Sequence, residues 1–121
     1  MITSLGPTVI SAWMAAFILT LAIEVPIACV FLRRWEPSWM RLVLLTISAN
    51  LATHPLVWFV FPSLALTYSG RTAVAEVWAV GVETVFYWAA FKGLPLTRAG
   101  AISIAANAAS FLVGLAVGSW L

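Results

Sequence analysis

Three of the four acidic residues in this chain lie inside long apolar stretches, where an ionised carboxyl group is costly. They are Glu24, Glu76 and Glu83, and no lysine or arginine lies inside the same stretches to neutralise them. A charged side chain at the bilayer centre costs about 2.5–3.5 kcal/mol on insertion scales, so such residues are usually functional. Burial and mutual repulsion disfavour a second negative charge, and we expect at least one of these groups to hold a proton near neutral pH.

Two asparagines occupy similar apolar surroundings, in the segments TISANLAT (46–53) and SIAANAAS (103–110). Aligning the two segments pairs Asn50 with Asn107 and keeps a hydroxyl residue at both ends. The agreement continues outside the segments. Asn50 and Asn107 each lie nine positions after an arginine, and Glu24 and Glu83 each lie nine positions before a basic residue. This common register predicts an internal duplication, with one copy at about 8–61 and the other at about 72–120.

The spacing also predicts which side chains meet. Nine helical residues rise by about 13 Å, which places Glu24, Asn50, Glu83 and Asn107 at one depth on four different helices. Further polar residues recur at helical spacing on the same faces. The sequence therefore predicts a polar column inside a bundle, extended beyond the central layer by Thr20, His54, Glu76, Tyr87, Ser103 and Ser110.

Carboxyl, amide and imidazole groups at one depth are typical of an ion or proton pathway. We predict a transporter or channel for a small cation or a proton-coupled solute, with the binding site formed by Glu24, Glu83, Asn50, Asn107 and His54. Asn50, Asn107 and His54 would donate hydrogen bonds to whichever carboxylate stays charged. A divalent metal such as Zn, Mn or Fe would suit oxygen and imidazole ligands without a thiolate, and Glu24, Glu83 and His54 form the candidate metal set.

Two other classes of function fit the same residues. An intramembrane enzyme, with or without a metal, could use the carboxyl groups and the histidine for acid–base chemistry on a lipidic substrate. The sequence contains no HExxH pattern and no serine or cysteine with a spaced general base, which favours transport over catalysis. A non-catalytic accessory subunit of a larger membrane complex could instead use the polar layer to fix helix register.

The elements that carry these residues are predicted to be membrane-spanning helices. Hydrophobic residues make up 64% of the 121 positions and charged residues 8%, far below the roughly 25% charged residues of soluble domains. Breaks in the apolar pattern delimit four spans at about 8–32, 40–61, 72–91 and 97–120, each long enough to cross a bilayer. We expect one all-α transmembrane domain over residues 1–121, a four-helix bundle of two tandem hairpins related by a pseudo-two-fold axis along the membrane normal.

The charges at the ends of the spans predict an orientation. The first and third loops hold five of the six basic residues, and the second loop holds only Arg71. By the positive-inside rule, both termini face away from the cytoplasm, and we expect the chain in the plasma membrane of a bacterium. The tryptophans Trp13, Trp58, Trp78 and Trp120 then mark the outer edge, and Trp35, Trp39 and Trp88 the cytoplasmic one.

The expected partners are the lipid bilayer and either a second copy or another membrane protein. The basic residues are dispersed, which argues against binding to nucleic acid.

Overall fold

In the computed structural model of the protein, residues 2–118 are described, with side chains from residue 10 onwards. This part of the chain is all-helical, as predicted. Its long helices are α1 (Ile2–Leu32), α2 (Trp39–Phe59), α3 (Tyr68–Ala90) and α4 (Leu96–Gly118). Each contains a stretch long and apolar enough to cross a membrane, so the prediction of four candidate spans is confirmed for the described residues.

Local signals in the sequence fix the helix ends. The Ser38 hydroxyl accepts a hydrogen bond from the backbone N–H of Arg41 at 3.3 Å and caps α2, and the Thr67 hydroxyl caps α3 through the N–H of Gly70 at 3.1 Å. Between α3 and α4 the chain reverses through Gly93, whose φ of +84° favours glycine. Capping by Thr67 explains why α3 begins four residues before the predicted start at residue 72.

Helix α4 is described to Gly118, so the predicted end of the fourth span at residue 120 and the predicted interfacial residue Trp120 lie outside the described residues. The second helix ends at Phe59, two residues before the predicted boundary, and a short 3-10 turn at Phe61–Ser63 follows it. Pro62 lies inside that turn and cannot donate the backbone hydrogen bond that would continue α2.

The four helices form a ring in which each helix packs against its two neighbours. Helix α1 contacts α2 and α4, and α3 contacts the same two, so α1 lies diagonally opposite α3. The most tightly packed core lies at the end of the bundle that carries the α1–α2 and α3–α4 connections. Its largest fully buried members are Leu32, Leu42, Tyr87 and Phe91. At the other end, residues 111–118 of α4 are exposed along their whole length.

Candidate functional site

The centre of the bundle holds two buried glutamates that face each other across the ring. Glu24 on α1 is 2% exposed and Glu83 on α3 is 1% exposed. Their carboxyl groups lie close enough to each other to interact. A carboxylate can only accept hydrogen bonds, so a bond between two carboxyl groups requires a proton on one of them.

Within the described part of the chain, the hydrogen-bond donors to this carboxyl pair come from α4. Asn107 donates from Nδ2 to Glu83 Oε2, and the Ser103 hydroxyl lies 3.5 Å from the same oxygen. The Ser110 hydroxyl donates to Glu24 Oε2 at 2.6 Å. The second oxygen, Oε1, of each glutamate is buried and receives no hydrogen bond from a donor residue in the described part of the chain. Each carboxyl group therefore has one buried oxygen that α4 does not reach.

Asn50 behaves differently from the expectation that it donates to a carboxylate. It is 2% exposed, and its Nδ2 donates to the backbone oxygen of Thr46 at 2.9 Å, one turn back on its own helix. Asn107 makes the equivalent bond to the Ser103 oxygen at 2.9 Å and reaches Glu83 as well. Of the two matched amides, one binds the carboxyl pair and the other stabilises its own helix.

His54 also has different partners from those expected. Its Nδ1 accepts a hydrogen bond from the indole Nε1 of Trp13 at 3.0 Å, so the ring proton resides on Nε2, which lies 3.4 Å from the Thr20 hydroxyl. The imidazole packs among the rings of Phe17 and Trp58, with centroid distances of 5.0 and 6.5 Å. These contacts hold a neutral histidine between α1 and α2 and use both of its nitrogen atoms.

The candidate metal set does not assemble in this geometry. Within residues 2–118, no three side chains of His, Cys, Asp or Glu come together as a group able to hold a metal ion. The physical reason is the placement of His54, whose ring nitrogens face Trp13 and Thr20 and not the oxygens of Glu24 and Glu83. Two carboxyl groups alone provide fewer ligands than a stable Zn, Mn or Fe site requires.

A polar cavity of about 130 Å³ lies next to the carboxyl pair, large enough for several water molecules. All four helices line it. Glu24 forms part of its wall, and the half-buried Glu76 of α3 contributes a second carboxyl group. The other polar lining residues are Thr20, Asn50, Thr53, His54, Asn107 and Ser110. Seven of the ten residues named from the sequence therefore surround one space.

The remaining three residues, Glu83, Tyr87 and Ser103, lie outside this lining. Ser103 donates to the backbone oxygen of Val80 at 3.1 Å and so ties α4 to α3. Tyr87 is 1% exposed and packs edge-on against Phe91, with ring centroids 6.1 Å apart. Its hydroxyl is buried and forms no hydrogen bond with the described residues. This side of the carboxyl pair is filled by side chains, whereas the side towards the chain termini holds the cavity.

Two residues of the site are not predicted from the sequence. The sequence pattern predicts Trp13 at the membrane edge, yet its indole fixes the tautomer of His54. No pattern in the sequence pairs positions 13 and 54. Thr53 lines the cavity, and its signal is the alignment of the two similar segments, which pairs Thr53 with Ser110.

A comparison of the chain with known protein families, curated proteins and solved structures finds no match. The function is therefore inferred from the residues and the geometry of the site.

Proposed function

We propose that the protein is a membrane transporter that couples the movement of a small cation to the movement of a proton, with the Glu24–Glu83 pair as the binding site. The observation that carries the proposal is the placement of two fully buried carboxyl groups, both hydrogen-bonded to α4, beside a polar cavity. Buried carboxyl groups without basic partners are costly in a membrane and are normally found where ions or protons bind.

The charge balance of the pair explains the coupling. With both carboxyl groups protonated, the pair is neutral. It is equally neutral with one proton and one bound monovalent cation. Other combinations leave net charge in a region of low dielectric, where an isolated charge is strongly disfavoured. A cation that enters the cavity therefore displaces one proton, and a proton that returns displaces the cation.

A duplicated bundle supports this reading, and we propose that the two hairpins are such a repeat. Equivalent positions in the two halves are buried: Glu24, Ala28 and Leu32 in α1 match Glu83, Tyr87 and Phe91 in α3, with a constant offset along the chain. Leu42, Thr46, Ala49 and Asn50 in α2 match Ala99, Ser103, Ala106 and Asn107 in α4. Two similar halves around a central site can move so that the site opens first to one side of the membrane and then to the other.

The remaining parts of the proposal concern location and assembly. We place both termini on the non-cytoplasmic side of a bacterial plasma membrane, because five of the six basic residues lie in the first and third loops. The cavity then faces the non-cytoplasmic side, and the packed core around Tyr87 closes the cytoplasmic side. One copy encloses only about 130 Å³, so a pathway for a larger solute would require a second copy or a partner protein.

The test is a flux measurement on the full chain in liposomes loaded with a pH-sensitive dye. Gradients of sodium, potassium or methylammonium should drive proton movement in the opposite direction. Glu83→Gln should abolish this flux, whereas Glu36→Gln, in the loop between α1 and α2, should leave it within about twofold because Glu36 pairs with Arg41 on the surface.

Two results would overturn the proposal. The first is wild-type protein, correctly folded by circular dichroism, that moves no protons with any of the three cations. The second is full flux in Glu83→Gln. Turnover of liposome lipid by the wild type, lost in the same variant, would assign the pair to an intramembrane enzyme instead.

A further inference from the structure

A groove between α1 and α4, away from the polar cavity, combines an apolar surface with an arginine at one end. It has a volume of about 280 Å³ and is lined by Phe31 on α1, by Trp35 in the 3-10 turn that follows α1, and by Arg98, Ala101, Ile102 and Ala105 on α4. The four α4 residues are spaced as one helical face and extend over about 10 Å. Alanines at positions 101 and 105 leave room beside the larger side chains of Phe31 and Trp35.

The arginine at the end of this groove has no partner within the described residues. Two other basic residues at the same end of the bundle are engaged: Arg41 pairs with Glu36 at 3.3 Å, and the Arg33 guanidinium lies 4.2 Å from the Trp39 ring centroid. Arg98 is exposed and forms neither a hydrogen bond nor an ion pair there. Its planar guanidinium is suited to bind phosphate through two hydrogen bonds.

A second cation lies at the same end. The Arg34 guanidinium is 5.6 Å from the ring centroid of Trp35, which forms one wall of the groove. The groove therefore begins at a cationic region near the helix ends and continues along an apolar surface towards the middle of the bundle. An anionic headgroup joined to an acyl chain has the same distribution of charge and apolar surface.

We propose that this groove is a binding site for one anionic phospholipid, with the phosphate on Arg98 and an acyl chain between Phe31 and Ala105. Basic pockets between helices at the cytoplasmic edge are a known way to recognise anionic lipids. A second copy of this chain fits the groove less well, because its equivalent end carries the same excess of positive charge. The lipid site is independent of the carboxyl pair and of the transport proposal.

The experiment is native mass spectrometry of the full chain in detergent, titrated with phosphatidylglycerol or phosphatidylcholine of identical acyl chains. The wild type should bind one phosphatidylglycerol at least about fivefold more tightly than phosphatidylcholine, as expected for one basic contact at a membrane surface. Arg98→Gln should reduce this preference to less than twofold. Lys92→Gln removes the same charge from the same end outside the groove and should keep the preference.

A second pair of variants tests the apolar part of the site. Ala105→Trp fills the groove and should weaken the binding of both lipids, whereas Ile104→Trp, exposed on the same helix outside the groove, should not. Equal losses in Arg98→Gln and Lys92→Gln would show diffuse surface attraction and overturn the proposal. Unchanged lipid binding in Ala105→Trp, or a dimer of this chain that excludes lipid, would overturn it as well.

Discussion

The two hairpins of this bundle form similar hydrogen bonds within their helices but differ in the hydrogen bonds that they donate to the carboxyl pair. Asn50 and Asn107 each donate to a backbone oxygen one turn back, at 2.9 Å in both cases. The Thr53 hydroxyl donates to the backbone oxygen of Asn50 at 3.2 Å, and the Ser110 hydroxyl lies 3.1 Å from the corresponding oxygen of Asn107. The same sequence pattern thus produces the same backbone contacts in α2 and α4.

The difference lies in the bonds between helices. Helix α4 provides a donor for each carboxyl group, with Asn107 on Glu83 and Ser110 on Glu24. Helix α2 provides no donor to either, among the described residues, and contributes His54, which it holds against α1. Similar sequences therefore give similar helices, whereas the chemistry of the centre depends on which neighbour each polar side chain can reach.

This asymmetry gives the two glutamates different roles in the proposed cycle. Glu24 lines the cavity and has one donor from α4, whereas Glu83 lies outside the lining and has Asn107 with Ser103 nearby. We therefore expect Glu24 to exchange protons and cations with the cavity, whereas Glu83 is held in place by its bonds to α4.

The largest expected change in the free energy of unfolding comes from replacing one of the two buried asparagines. Asn107→Ala removes a bond to a buried carboxyl group as well as the backbone bond, and should lower the free energy of unfolding by about 2–3 kcal/mol. Asn50→Ala removes only the bond to the Thr46 oxygen and should cost about 1 kcal/mol. Denaturation in mixed micelles, followed by circular dichroism, measures both. Equal losses would mean that Asn50 also supports the pair and that the hairpins are functionally equivalent.

A smaller effect is expected from the hydroxyl residues that follow the amides. Ser110→Ala leaves Glu24 Oε2 without its donor and should destabilise the protein by about 1.5 kcal/mol. Thr53→Val keeps the side-chain shape and removes only a bond within α2, so the loss should stay near 0.5 kcal/mol. The same unfolding assay applies. A larger loss in Thr53→Val than in Ser110→Ala would contradict the assignment of α4 as the donor helix.

The smallest effect is expected at Tyr87, whose counterpart in the first hairpin is Ala28. The Tyr87 hydroxyl is buried without a hydrogen bond among the described residues, so Tyr87→Phe should leave the unfolding free energy within about 0.5 kcal/mol or raise it slightly. Phe86→Leu, beside it on α3, provides a control for changes in aromatic packing. A loss above about 1 kcal/mol in Tyr87→Phe would indicate that the hydroxyl has a partner, and the asymmetry of the centre would need revision.

The sequence predicted the helices well because their signals are local. Runs of apolar residues predict the described helix ends to within six residues, whereas the caps at Ser38 and Thr67 and the turn at Gly93 are seen only in the structure. Helical spacing also predicts that the polar residues of each helix share one face. It does not predict how each helix is rotated against its neighbours.

The contacts between side chains were harder to predict because they depend on distances between helices. Asn50 and Asn107 have the same neighbours in sequence, yet only Asn107 reaches a carboxyl group. His54 shares a helical face with Asn50, but its bonds are to Trp13 and Thr20, which are more than thirty positions away along the chain. Periodicity assigns a residue to a face and leaves its partner undetermined.

The supply of both carboxyl donors by α4 has a consequence for biosynthesis. When α1, α2 and α3 have been made, Glu24 and Glu83 are already inside apolar segments, but Ser110 and Asn107 have not yet been translated. A chain that stops after α3 therefore leaves these two buried acidic groups without their donors, which is unfavourable in lipid. We expect such chains to remain with the insertion machinery or to be degraded, so that assembly of the polar centre acts as a check on the insertion of α4.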